Sequence, residues 1–198
     1  MKWKLLKTEP LYKGFFKVDL CQLSHQTYQG GEMEINRELF TRGDAVGVLL
    51  YDPAKDKVVL IEQFRVGAIN EDNPWILEVV AGMVEPGEEV AEVAKRECKE
   101  EAGVDVHVHS FEQIHSFYSS PGGCSEKIYL LCALIDSDQA IGFHGLAHEG
   151  EDIKVVVIDY DEVQDLITSG KICAAIPLIA LQWLQLNRER LRIESFIL

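Results

Sequence analysis

The chain has 198 residues, of which 47% are hydrophobic and 26% charged, a composition typical of a soluble globular protein built around one domain. Its formal net charge of −14 argues against binding to nucleic acid, and no apolar run approaches the roughly 20 residues needed to cross a membrane. No signal-peptide pattern is present, and five scattered cysteines without a CxxC pair predict reduced thiols, so a cytoplasmic location is expected.

Residues 1–43 are predicted to form a separate N-terminal β segment. Within it, 15–23 and 33–40 have the composition of two strands, joined by a polar loop that contains glycine. Two strands cannot bury a core of their own, so the segment should pack on the main body or on another subunit. The main domain is then 44–198.

The main domain mixes strands and helices. Predicted strands cover 45–51, 58–63, 75–80, 104–109, 114–118, 127–135 and 153–158. Predicted helices cover 90–102, 161–169 and 175–190, the last with Pro177 in its first turn, where proline is tolerated. His107 and His109 are expected on the exposed face of a strand. This order predicts the α/β class: an α/β/α sandwich around a mixed sheet, with a small N-terminal antiparallel β domain.

The most informative motif is Gly82-x5-Glu88-x7-Arg96-Glu97-Cys98-Lys99-Glu100-Glu101-Ala102-Gly103-Val104. On a helix, Glu97 and Glu101 lie one turn apart on the same side, and two like charges so placed destabilise the helix unless something compensates for them. Carboxylate oxygens suit Mg²⁺ or Mn²⁺ far better than zinc. A solvated acidic face is the alternative for an isolated acidic cluster. The turn at Pro86-Gly87 before the helix and the glycine at position 103, which would end it, favour a defined loop–helix–loop instead.

This pattern resembles the Nudix box, and the only departure is Cys98 at a position that is usually aliphatic. The resemblance implies hydrolysis of a nucleoside diphosphate linked to another group, with Mg²⁺ as cofactor and Mn²⁺ as a substitute. It implies metal ligation by Glu97, Glu101 and the backbone carbonyl of Ala81. The box residues implied to support these ligands are Gly82, Glu88, Arg96 and Glu100.

Five further segments resemble the bacterial ADP-ribose pyrophosphatases, and together they span about residues 12 to 190. They are 12–16, 37–40, 61–65, 120–126 and 148–152. The marker proline of that subfamily corresponds to Pro121, which follows the box one residue later than usual. Taken alone, 121–123 could be only a tight turn.

The resemblance assigns a role to each of these segments. Phe15 or Phe16 would stack on adenine, although ordinary strand core is an equal alternative for both. Glu149 would be the base that deprotonates the attacking water, and Glu151 a further metal ligand. The remaining residues implied to contact the substrate are Arg37 and Glu38 near adenine, Arg42 and Arg65 as phosphate-binding cations, Ser120, Pro121, Gly122 and Glu126 at the ribose or adenine, and Met83 as a lining residue.

The predicted function is Mg²⁺-dependent hydrolysis of ADP-ribose to AMP and ribose 5-phosphate. One alternative is a pyrophosphatase of other nucleoside diphosphate sugars, such as ADP-glucose or GDP-mannose. Another is a non-catalytic ADP-ribose sensor, which is disfavoured because no box glutamate is missing. The resemblance also implies a homodimer in which 1–43 docks onto the partner, and Phe15 and Phe16 help to complete the partner's adenine site. A segment folded back on its own chain is the alternative.

Overall fold

The structure, a computed structural model, describes residues 1–195. Its contacts divide the chain into two compact units. The first unit consists of Met1–Asp44 together with Phe117–Ile128, and the second unit contains the rest of the chain.

The first unit is built on a three-stranded antiparallel sheet in the order β1 (Trp3–Lys13), β2 (Lys17–Gln26) and β3 (Glu32–Thr41). The two predicted strands are present as β2 and β3, but β1 was not predicted. Phe15 and Phe16 lie in the bend between β1 and β2, so their placement in a strand was wrong. All of β1 is exposed, and Pro10 is compatible with its position at the edge of the sheet.

The larger sheet has eight strands and is mixed. Its order is β10 (Phe143–His144), β11 (Ile153–Asp159), β5 (Lys57–Phe64), β4 (Asp44–Asp52), β9 (Lys127–Leu134) and β8 (Phe111–Tyr118), with β6 (Trp75–Glu78) paired to β5 and β7 (Val80–Val84) paired to β4. In the described part of the chain three α-helices accompany the sheet: α1 (Val90–Ala102), α2 (Val163–Thr168) and α3 (Ala175–Ser195). None of the helices within residues 1–195 is both long and apolar enough to span a membrane.

Both faces of β4 are covered, which explains why its sequence is apolar throughout. Val48 and Leu50 belong to the same core cluster as Val93 and Cys98 of α1. On the other face an ideal Cβ at Gly47 would lie 2.9 Å from Ile176 of α3, so the missing side chain lets α3 approach the sheet closely. The predicted α/β/α sandwich is therefore confirmed.

Several predicted boundaries need correction. The strand predicted at 104–109 is wrong: the chain there is irregular and then forms a short 3-10 turn, Val108–Ser110, in which Nδ1 of His107 accepts a hydrogen bond from the N–H of His109. Val104 and Val106 are buried, as their alternation predicted, but no strand among the described residues pairs with this segment. The predicted strand 75–80 is two strands, β6 and β7. The helix predicted at 161–169 is a 3-10 turn followed by the short α2.

Candidate active site

Helix α1 presents the acidic residues of the motif. Its apolar side chains, among them Val93 and Cys98, are buried against the sheet, and the helix ends at Gly103, whose φ of 71° is left-handed. The predicted bounds of this helix, 90–102, are confirmed. The spacing then places Glu97 and Glu101 one turn apart on the side that faces β7.

Glu101 is a buried carboxylate, only 2% exposed. Its Oε2 accepts a hydrogen bond of 2.8 Å from the backbone N–H of Ala81 on β7. The pKa of Glu101 is raised to about 8: burial is the main cause, the negative charges of Glu97 and Glu151 add to it, and the Ala81 N–H and Arg65 oppose it. A bound cation would relieve this repulsion between neighbouring carboxylates.

Glu97 lies directly against Gly82. An ideal Cβ on Gly82 would stand 2.1 Å from Oε1 of Glu97, so any larger residue at this position would displace the Glu97 side chain. The pKa of Glu97 is raised to about 6, chiefly by burial and also by the charges of Glu100 and Glu151, against the opposing effect of Arg96.

Arg96 ties the acidic side chains together. Its guanidinium lies 2.8 Å from Glu88, 3.2 Å from Glu97 and 3.9 Å from Glu100. Glu88 also accepts a hydrogen bond of 2.9 Å from the backbone N–H of Glu85, which closes the loop before α1. Arg96 and Glu88 therefore brace the loop and the helix.

Glu151 reaches the acidic cluster from the segment between β10 and β11. Its Oε2 accepts a hydrogen bond of 3.1 Å from the N–H of Leu146, and its charge acts on both Glu97 and Glu101. Glu149 lies on an adjacent 3-10 turn with its side chain 55% exposed, 3.5 Å from Nε2 of His148. Glu151 therefore acts together with the glutamates of α1, whereas the side chain of Glu149 contacts His148.

Arg65 stands at the end of β5 and forms an ion pair of 2.6 Å with Glu78 of β6. Sequence reasoning selected Arg65 but missed Glu78, because their proximity depends on the pairing of Phe64 with Trp75 across β5 and β6. Met83 is half-buried on β7, next to Gly82 in sequence.

The first unit holds the residues assigned to the adenine. The Phe16 ring contacts Phe15 at 4.9 Å and Phe40 at 5.2 Å between ring centroids, and the Arg42 guanidinium lies 5.6 Å from its centre. Arg42 also forms an ion pair of 3.1 Å with Glu126, which is 7% exposed. Phe15 is 82% exposed, so ordinary strand core does not describe it.

The predicted turn after β8 is also in the first unit. The backbone carbonyl of Ser120 accepts hydrogen bonds from the N–H groups of Gly123 and Cys124, and Pro121 and Gly122 lie between these residues. Phe40 of β3 exchanges backbone hydrogen bonds with Gly123 and Ser125. Arg37 and Glu38 are both exposed on β3, and Arg37 donates to the carbonyl of its neighbour Asn36.

Comparison with known proteins decides the family. The chain matches the NUDIX domain family model over residues 41–174. The chain belongs to the NUDIX family. The ADP-ribose pyrophosphatase of Escherichia coli strain K12 is 44% identical over 193 residues, which cover 96% of this chain and 91% of that protein. The ADP-ribose pyrophosphatase of Haemophilus influenzae is 43% identical over 194 residues, covering 96% and 88%.

A less similar relative carries a name with another substrate. The GDP-mannose pyrophosphatase of Cronobacter sakazakii is 32% identical over 186 residues, covering 93% of this chain and 95% of that protein. The crystal structure of an ADP compounds hydrolase aligns with a TM-score of 0.68 at 22% identity, covering 93% of this chain and 95% of that one. At that identity the structural match supports the NUDIX fold alone.

The acidic cluster of this NUDIX hydrolase fits a divalent cation by its chemistry. Within residues 1–195, no three or more His, Cys, Asp or Glu side chains already stand in metal-ligand geometry. Glu97, Glu101 and Glu151 are nevertheless hard oxygen donors that repel one another. The hydrogen bonds from Ala81 and Leu146 use one oxygen of a carboxylate each, and a carboxylate keeps further acceptor sites for a cation.

Proposed function

We propose that this NUDIX hydrolase cleaves the diphosphate of ADP-ribose, giving AMP and ribose 5-phosphate. The observation that carries the chemistry is the convergence of Glu97 and Glu101 on α1 with Glu151: Glu151 raises the pKa of both helix glutamates, and Glu97 raises the pKa of Glu101. The choice of substrate rests on relatives named ADP-ribose pyrophosphatases, which are 43–44% identical over nearly the whole chain. All five cysteines are free, in keeping with the proposed cytoplasmic location.

The metal proposed for the site is Mg²⁺, with Mn²⁺ as a substitute. Glu97, Glu101, Glu151 and the carbonyl of Ala81 would hold it, since oxygen ligands of this kind are those that Mg²⁺ prefers. When bound, the metal supplies positive charge at the diphosphate and acidifies the attacking water.

Two side chains of the protein would then accept the proton of the attacking water and bind the negatively charged diphosphate. Glu149 would accept the proton of the water, and its exposed position on a turn ended by the left-handed Gly150 suits a base that must approach the substrate. Arg65 would bind the diphosphate, because a guanidinium matches phosphate oxygens in geometry and charge. Its pairing with Glu78 fixes its direction.

We assign the adenine and ribose to residues of the first unit. Phe15 presents a largely exposed ring next to Phe16, which suits stacking on a base. Arg42 and the buried Glu126 form a fixed ion pair that can receive the polar edge of the ligand. The remaining proposed contacts are Arg37, Glu38, Ser120, Pro121, Gly122 and, from the second unit, Met83.

A substrate panel tests the proposal. The enzyme is assayed at matched Mg²⁺ with ADP-ribose, ADP-glucose and GDP-mannose, and products are identified by chromatography. We expect the highest kcat/KM for ADP-ribose, with AMP and ribose 5-phosphate as the products. Equal kcat/KM for ADP-ribose and GDP-mannose would contradict the substrate choice, an outcome that the 32% identical GDP-mannose pyrophosphatase makes worth testing. Binding of ADP-ribose without cleavage in excess Mg²⁺ would indicate a sensor.

We also propose a homodimer in which the N-terminal strands dock on the partner. β1 supports this assembly because Trp3, Leu5 and Leu11 are between 47% and 72% exposed on it. Large apolar side chains in one strand are costly to leave in water. The first 17 residues also carry five lysines and one glutamate in a chain of net charge −14, so charge attraction favours contact with the acidic body of a second copy.

A further inference from the structure

His144 of β10 lies against the C-terminal end of α1. An ideal Cβ on Gly103 would stand 2.7 Å from Cε1 and 3.1 Å from Nε2 of His144, so the imidazole occupies the space above the glycine. The ring is half-buried, and its Nε2 lies 2.9 Å from the carbonyl oxygen of Ile141, to which it donates in the tautomer protonated there. Gly103 therefore has two functions: its left-handed φ ends the helix, and its missing side chain admits the ring.

The two residues after His144 connect this contact to the acidic cluster. The N–H of Gly145 donates a hydrogen bond of 3.1 Å to the carbonyl of Glu100 on α1. An ideal Cβ on Gly145 would lie 2.8 Å from Cβ of Glu151, and the N–H of Leu146 donates to the Glu151 carboxylate. Three consecutive residues thus join the end of α1 to the side chain of Glu151.

We propose that His144 is a positioning residue, which holds Glu151 and the turn bearing Glu149 in place relative to Glu97 and Glu101. The inference rests on the proposed function for the roles of these glutamates. The ring packs on the helix end, and the backbone that follows it is bonded both to α1 and to Glu151. Displacing a metal ligand by about 1 Å can cost about a hundredfold in rate, so a contact remote from the reacting atoms can control it.

Replacement of the ring tests the proposal directly. Binding of Mn²⁺ to the full-length protein is measured by electron paramagnetic resonance, together with kcat and KM on the preferred substrate. For His144→Ala we expect Mn²⁺ binding to weaken about tenfold. We expect kcat to fall about tenfold or more while KM changes little.

His144→Gln can restore the hydrogen bond to the carbonyl of residue 141 and should recover much of the loss in Mn²⁺ binding and in kcat. His115→Ala, on the exposed face of β8, is the matched control.

A double-mutant cycle with Gly103→Ala separates positioning from simple space filling. Both substitutions remove the same contact, and Gly103→Ala also strains the left-handed helix end. The effect of losing the contact is counted once in the double mutant, so the effects on Mn²⁺ affinity should be less than additive. If Gly103→Ala does not fold, the two His144 variants still decide. Mn²⁺ affinity and kcat within about twofold of wild type in His144→Ala, a change far below that expected for loss of a ligand-orienting group, would overturn the proposal. If the wild type prefers another sugar nucleotide, only the proposed substrate fails, because the Mn²⁺ measurement does not involve it.

Discussion

At the scale of single residues, the second unit offers two glycines that differ in what surrounds them. An ideal Cβ on Gly82 would meet Oε1 of Glu97 at 2.1 Å, whereas on Gly67 it would meet no atom within 4 Å, and neither glycine has a left-handed backbone. Gly82→Ala should push the flexible Glu97 side chain aside and reduce kcat by about a hundredfold, since a ligand is displaced. Thermal unfolding measures whether the fold persists, and Gly67→Ala should match wild type in both assays. Unchanged kcat in Gly82→Ala would show that Glu97 need not occupy this position.

A second prediction at this scale concerns Glu149. Glu149→Gln keeps the size of the side chain but removes its ability to accept a proton, so kcat should fall by about 10²–10⁴-fold while KM changes little. Steady-state kinetics on ADP-ribose at neutral pH measure both constants. Glu71→Gln, at an exposed position in the loop before β6, is the control. Near-normal turnover of Glu149→Gln would assign the base to another residue.

At the scale of elements, features determined by neighbouring residues were predicted from the sequence, whereas contacts between distant segments were not. The bounds of α1 were predicted to the residue because its apolar positions recur at helical spacing and Gly103 can adopt the left-handed backbone that ends a helix. β1 was missed because lysines interrupt its apolar residues and Pro10 argues against a strand. The pair formed by Glu97 and Glu101 is likewise local. Contacts of Arg65 with Glu78 and of His144 with Gly103 depend on strand pairing and could not be read from spacing.

The turn between β4 and β5 depends on one buried carboxylate. Asp52 is 2% exposed, and it accepts hydrogen bonds from the N–H groups of Ala54 and Lys55 and from both the N–H and the hydroxyl of Ser137. Burial tends to raise the pKa of Asp52, but these donors outweigh it and hold the pKa below the ordinary value of 3.8.

Asp52→Asn should destabilise the protein by about 3 kcal/mol, because an amide group then faces these donors in a buried site. The unfolding free energy is measured by urea denaturation. A depressed pKa means that the carboxylate stabilises the fold above pH 3.8 and that this contribution is lost as pH falls through the folded-state pKa. The difference between wild type and variant should therefore shrink below about pH 4. Asp72→Asn, at an exposed loop position, should show neither effect, and a pH-independent difference would rule out the linkage.

At the scale of the whole molecule, charge is unevenly distributed along the chain. The net charge of −14 would repel an anionic diphosphate, whereas Arg42 and Arg65 place single cations among the proposed substrate contacts. The lysines of the first 17 residues lie in the same stretch as the exposed apolar side chains of β1. Apolar burial and charge attraction therefore act at the same proposed surface.

This distribution leads to a prediction about assembly. Sedimentation at micromolar concentration should give a dimer of about twice the 22.3 kDa chain. Added salt should weaken it, because the attraction of β1 for an acidic surface is screened. Removal of residues 1–43 should raise KM sharply if the segment completes the partner's adenine site.

Phe15→Ala should raise KM for ADP-ribose about tenfold, since a lost base–aromatic stack costs about 1–3 kcal/mol. Tyr28→Ala is the matched control because Tyr28 is another exposed aromatic residue of the first unit, 97% exposed in the turn before β3. KM is measured at protein concentrations above and below the dimer dissociation constant, and the effect of Phe15→Ala should be confined to the dimer. A monomer at micromolar concentration that retains full activity on ADP-ribose would contradict both the assembly and the shared site.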